Sequence, residues 1–207
     1  MRALWLAALV VAAVHAAVML DRIAVVVNNH PIKTSDIERD VRLTNFLNKA
    51  SLKLDAVERK AAEERLIDQQ IIRGEIASGG YRRASEADAD ALLRQIRRDR
   101  YANSDAALQR ALGQYGLTEN QLRAQLLWQL TVLSFINERF RAGVIVSDED
   151  VGKYYEQHRT ELRAPLEKVA ATIRTALEGE QVNQQFDMWL DNARKDAQIE
   201  YKPEAVE

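Results

Sequence analysis

The segment Asp21 to Glu38, DRIAVVVNNHPIKTSDIE, is the strongest constraint on what this chain can fold into. Arg22 to Val27 is a β-branched run suited to a pleated, half-buried surface. Asn28-Asn29-His30-Pro31 is turn chemistry, because asparagine tolerates positive φ and Pro31 fixes the return of the chain. The strands predicted over residues 22–33 then run into a helix, where Ser35 with Glu38 three residues on has the capping-box pattern. A strand pair at one end of an otherwise helical chain needs a partner strand from far away in sequence. Residues 198–201, Gln-Ile-Glu-Tyr, alternate as a short strand does, and pairing them with the first strand would tie the two ends together.

Between these ends the helix signals follow one another. A first helix is expected from Ser35 to about Asn48, with Ile37, Val41, Leu43 and Leu47 on its apolar side. A second begins after Asp55, carries Val57, Leu66, Ile67, Ile71, Ile72 and Ile76, and ends at Gly79-Gly80. Ser85 with Asp88, Thr118 with Gln121 and Ser147 with Asp150 open three more. A further short helix covers Asp105 to Tyr115, and the helix opened at Ser147 is expected to end near His158. After the linker Arg159–Ala164, Pro165 fits the first turn of a long helix, residues 165–196, whose regular part from Leu166 is a rod of roughly 46 Å. The fold expected is therefore mainly α, with a helical core over residues 35–158 and a small sheet built from the terminal strands.

The opening MRALWLAALVVAAVHA has the parts of an export signal: Arg2, an apolar stretch from Ala3 to Val14, and small residues at a cleavage point after Ala16. On this reading residues 1–16 are a signal peptide and residues 17–207 a single exported domain. The rival is an uncleaved anchor, since apolar residues continue to Leu20. Cysteines are lacking, so stability must come from packing and not from disulfides. His30 and His158 lie far apart in sequence and no Cys/His cluster exists, which gives no metal site. His30 reads as a turn residue and His158 as a helix-end residue meeting terminal carbonyls. A formal net charge of −2 argues against general nucleic-acid binding. Six arginines, Arg82, Arg83, Arg94, Arg97, Arg98 and Arg100, form the one charge concentration, read here as a solvated helix face.

The helix opened by Thr118 carries two stripes. Leu122, Leu126, Leu130, Leu133 and Phe140 recur at spacings of three, four and seven residues and define one buried face. Trp128, Val132 and Phe135 make a second stripe on another side, which is expected to be core as well; as the residues off the main stripe they are also the candidates for a surface that contacts a client polypeptide. Neither G-x-x-x-x-G-K-[ST] nor G-x-G-x-x-G occurs, so no nucleotide cofactor is implied, and no catalytic set is recognisable.

Three pieces of the chain resemble, in order, the amino-terminal chaperone module of the SurA family of periplasmic chaperones. They are DRIAVVVNNHPIKTSDIE, then VSDEDVGKYYEQH over Val146 to His158, then PLEKVAATIRTALEGEQVNQQFDMWLDNARKDAQIEY over Pro165 to Tyr201. In that family one or two parvulin-type prolyl isomerase domains sit between the second and third pieces. Here only Arg159 to Ala164 separates them, which leaves no room for such a domain. The resemblance implies ATP-independent binding of unfolded polypeptides, notably outer-membrane β-barrel precursors, and it does not carry isomerase activity over. It implies a groove between helical lobes that offers apolar contact and backbone hydrogen bonds to an extended segment. A dedicated assembly protein using the same groove for one partner is the alternative. A homodimer formed by exchange of the long last helix also stays open.

Overall fold

A computed structural model describes residues 21–202. The signal segment expected at residues 1–16 lies outside the described residues. The first strand, β1 (Ile23–Val27), turns at Asn28 and Asn29, both at positive φ (45° and 67°). Two such residues in succession match the right-handed twist of the flanking strands. The chain returns as β2 (His30–Lys33), with Pro31 on an edge strand where its missing N–H costs no ladder bond. At the far end β3 (Ile199–Tyr201) pairs antiparallel with the other side of β1, Val25 facing Tyr201 and Val27 facing Ile199. The sheet order is thus β2-β1-β3, and the expected union of the two chain ends is present. Asn28 reinforces it twice: its N–H donates to the Gln198 carbonyl at 2.9 Å, and its side-chain oxygen accepts from the Gln198 N–H at 2.9 Å.

Among the described residues seven α-helices and one short 3-10 turn (Arg141–Gly143) follow the first two strands, and the protein is mainly helical with this small three-stranded sheet. Helix α1 (Thr34–Leu47) leaves β2 without a loop, and this moves its cap. The capping position is Lys33, whose N–H donates to Asp36 at 3.0 Å. Ser35, expected to cap, lies within the first turn, and its hydroxyl donates to Asp21 at 2.5 Å. Helix α2 (Ala56–Ser78) is capped by the Asp55 carboxylate and closes at Gly79. Helix α3 (Glu86–Tyr101) opens with the expected Ser85–Asp88 box, and α4 (Asp105–Gln114) is capped by Ser104. Helix α5 (Glu119–Phe140) opens with Thr118 and Gln121, and α6 (Asp148–Leu162) with Ser147 and Asp150. Helix α6 runs one turn beyond the expected end at His158, so only Arg163 to Pro165 separate it from α7 (Leu166–Asp196).

Among the described residues the buried apolar side chains gather in four clusters. Val25, Val27 and Ile32 of the sheet pack on Ile37 and Val41 of α1 and on Ile67 and Ile71 of α2. Leu43 and Phe46 of α1 meet Leu93, Leu108, Leu112, Leu122 and Leu126. Ile72 and Ile76 of α2 meet Trp128, Phe135 and Phe140 of α5 and Val182 of α7. The first half of α7 instead packs through Ile173 against Val146 and Val151 beside and on α6. Helix α7 therefore links an α6–α7 hairpin to the main body, where Arg194 bonds Asp68 (2.5 Å) and Glu64 of α2.

Candidate functional site: an amide-lined groove

Helices α1, α2 and α5 leave a groove of about 440 Å³ between them. Helical periodicity dictates what faces it. On α2, Leu66, Gln69, Gln70 and Arg73 stand at spacings of three, four and seven and so share a face. On α5, Asn120, Gln121, Ala124, Gln125 and Trp128 do the same. Pro31, Ile32, Asp36, Arg39, Asp40 and Leu43 complete the lining from β2 and α1. The apolar components are Pro31, Ile32, Leu43, Leu66, Ala124 and Trp128, and five carboxamides stand among them.

Two of those amides are occupied. Gln69 donates to Asp40 at 3.5 Å, and the Gln121 side-chain oxygen accepts the Thr118 N–H at 2.8 Å as part of the α5 cap. The side chains of Gln70, Asn120 and Gln125 bond no group among the described residues, so their donors and acceptors face the groove uncommitted.

The charges mostly cancel. Asp36 pairs with Arg39, and the buried Asp40 is held by Arg65 through Nε at 2.8 Å and Nη2 at 2.7 Å. Burial pushes the Asp40 carboxyl above the usual aspartate value, and Arg65 and Gln69 only partly offset it. Arg73 differs: its guanidinium carbon lies 3.8 Å from the centroid of the Trp128 ring, a close cation–π contact. Burial, and then the charge of Arg83, lower its pKa from the ordinary arginine value.

Of the three residues expected to contact a client, the structure gives Trp128 alone to the groove, with 9% of its surface exposed. Val132 packs half-buried against the third cluster. Phe135 is 0% exposed, edge-on to Tyr81 (4.9 Å between centroids), Trp189 (5.4 Å) and Phe140 (5.8 Å). It is a core ring and not a surface one, because α2 and α7 cover the side of α5 on which it stands. Leu133, expected in the core, is 55% exposed. The groove amides and Arg73 form no motif in the sequence; their one signal there is the recurrence of Asn and Gln beside Leu66 and Trp128.

The remaining tempting groups are structural. His158 bonds the Tyr154 carbonyl at 2.9 Å and stacks on the Tyr154 ring at 4.0 Å, inside α6 and one turn short of its end. His30 bonds the Asn28 carbonyl at 2.9 Å across the turn. In the arginine group, Arg97 pairs with Asp105 and Arg100 donates to the Leu47 carbonyl at 3.2 Å. Among the described residues no helix is long and apolar enough to cross a membrane. No protein-family model matches the chain, and a comparison with curated proteins finds none that matches it.

Proposed function

We propose that this chain is a SurA-like holding chaperone that binds extended stretches of unfolded polypeptide in the groove between α1, α2 and α5. The observation that carries the reading is the uncommitted carboxamides of Gln70, Asn120 and Gln125 set among Leu43, Leu66 and Trp128. An unfolded segment always presents backbone N–H and C=O groups, whatever its sequence. Carboxamides both donate and accept, so they satisfy either group without demanding a particular side chain. The apolar patches beside them take whichever apolar side chains the segment carries. Such a surface suits many clients held weakly, and release then follows from the client's own folding, with no nucleotide and no chemistry on the chaperone.

The resemblance of the strand–turn–helix opening and of the closing helix and strand to the SurA module directs the reading toward outer-membrane β-barrel precursors in a periplasm, without isomerase activity. The test is light scattering from an unfolded outer-membrane barrel protein diluted out of denaturant. The chain should suppress aggregation at near-stoichiometric ratio, and Ala124→Trp, which fills the groove from its exposed rim, should abolish suppression while leaving the helical spectrum intact. Full suppression by Ala124→Trp would refute the groove as the site. Suppression confined to one client among several unrelated unfolded proteins would favour a dedicated assembly partner instead.

A further inference from the structure

Within the groove the ion pairs Asp36–Arg39 and Asp40–Arg65 account for every charge except one. Arg73 bonds no carboxylate among the described residues, and Arg83, close enough to act on it, adds a second positive charge. The Trp128 ring covers one side of the guanidinium and fixes its place. A guanidinium held this way keeps N–H groups on its rim for a planar acceptor, and its geometry matches a carboxylate. Arg73 and Trp128 are also the last groove-lining residues of α2 and α5, so the cation marks one limit of the groove.

We infer that the groove takes an extended segment carrying an acidic side chain, whose carboxylate docks on Arg73 while flanking apolar residues lie along Leu66 and Leu43. This rests on the groove being the polypeptide site. An internal Asp or Glu is the occupant, and not a chain terminus, because a holding protein must find sites throughout a client and a terminus occurs once per chain.

The test uses the full chain and fluorescence anisotropy of a labelled, C-terminally amidated peptide with one Glu beside a short run of leucines and valines, set against the same peptide with Gln. The Glu peptide should bind about tenfold more tightly to the wild type, the effect of one charge-assisted bond. In Arg73→Gln that preference should vanish, the Glu and Gln peptides binding alike, with an unchanged thermal melt as the folding control. Equal binding of the two peptides to the wild type would overturn the carboxylate inference and leave the groove reading standing. Binding of neither would overturn both. A gain from a free C-terminus on the Gln peptide, lost in Arg73→Gln and unmatched by internal Glu, would overturn the choice of an acidic side chain.

Discussion

Replacing Phe135 by alanine should be among the most damaging single changes available to this protein. The ring is fully buried where α2, α5 and α7 meet, and it touches Tyr81, Phe140 and Trp189 edge-on. Deleting a buried phenylalanine ring costs about 3–5 kcal/mol from lost transfer energy and the cavity left behind. Aromatic pairing contributes about 0.5–1.5 kcal/mol per pair beyond burial, so the upper half of that range is expected. The neighbours cannot collapse freely into the gap, since Trp189 is anchored on a helix that Arg194 ties to α2. Domains of this size are stable by about 5–15 kcal/mol in all, so the variant should remain folded but fragile. Urea unfolding followed by circular dichroism should show the midpoint falling steeply, with a melting temperature lower by roughly 8–20 °C. A loss below about 1 kcal/mol, accompanied by weaker client binding, would refute the placement of Phe135 in the core and return it to a client-facing surface.

Ending the chain at Ala197 removes β3 and with it the bonds from Asn28 to Gln198 and from Lys202 to Ala24; the loss should be at least about 2 kcal/mol, and an unchanged thermal melt would count against the pairing of the chain ends. Arg194→Met leaves Asp68, whose carboxyl burial already pushes upward, without its partner on α7; unfolding should show a cost of about 1–2 kcal/mol, reduced by residual solvent contact, and its pairing with Asp68→Asn should be non-additive. The Ser147 hydroxyl and N–H hold the Asp150 carboxyl below the ordinary aspartate value of 3.8. A depressed carboxyl contributes stability that is fully present above its unfolded value and lost as pH falls through the folded one. Carboxyl NMR titration should therefore place Asp150 below 3.8, and Ser147→Ala should move it back up; no movement would separate the hydroxyl from the shift.

Local chemistry explains what was legible in the sequence. The Asn-Asn turn, the three capping boxes at Ser85, Thr118 and Ser147, and the change of period before residue 199 each depend on a few adjacent residues, and each is where the pattern puts it. The misses arose where distant elements decide. Ser35 lost its capping role because β2 runs straight into α1 and Asp21 claims its hydroxyl. Val57, counted with the apolar side of α2, is 77% exposed, on the opposite side of the first turns from the fully buried Ala62. Helix α5 is the clearest case. Leu122 and Leu126 meet the cluster of α1, α3 and α4, while Trp128 and Phe135 meet that of α2 and α7. From Leu126 to Trp128 is about 200° around a helix, so the covered side changes along its length. A single stripe continued through Leu130 and Leu133 therefore leads out to solvent, while on the second stripe Phe135 is core, as two covered faces predict, and Trp128 borders the groove. The groove was harder still to read, because carboxamides on two helices look like ordinary solvated residues until the fold sets them face to face.

The claim that this groove holds unfolded polypeptide is tested most directly by photo-crosslinking. A photoreactive residue at position 124, on the groove wall, and another at position 145, where Ile145 is 85% exposed away from the groove, are each mixed with an unfolded outer-membrane barrel protein. The account predicts efficient crosslinks from position 124, weakened by competing extended peptide, and few from position 145. Crosslinks of equal yield from both, or from position 145 alone, would contradict it.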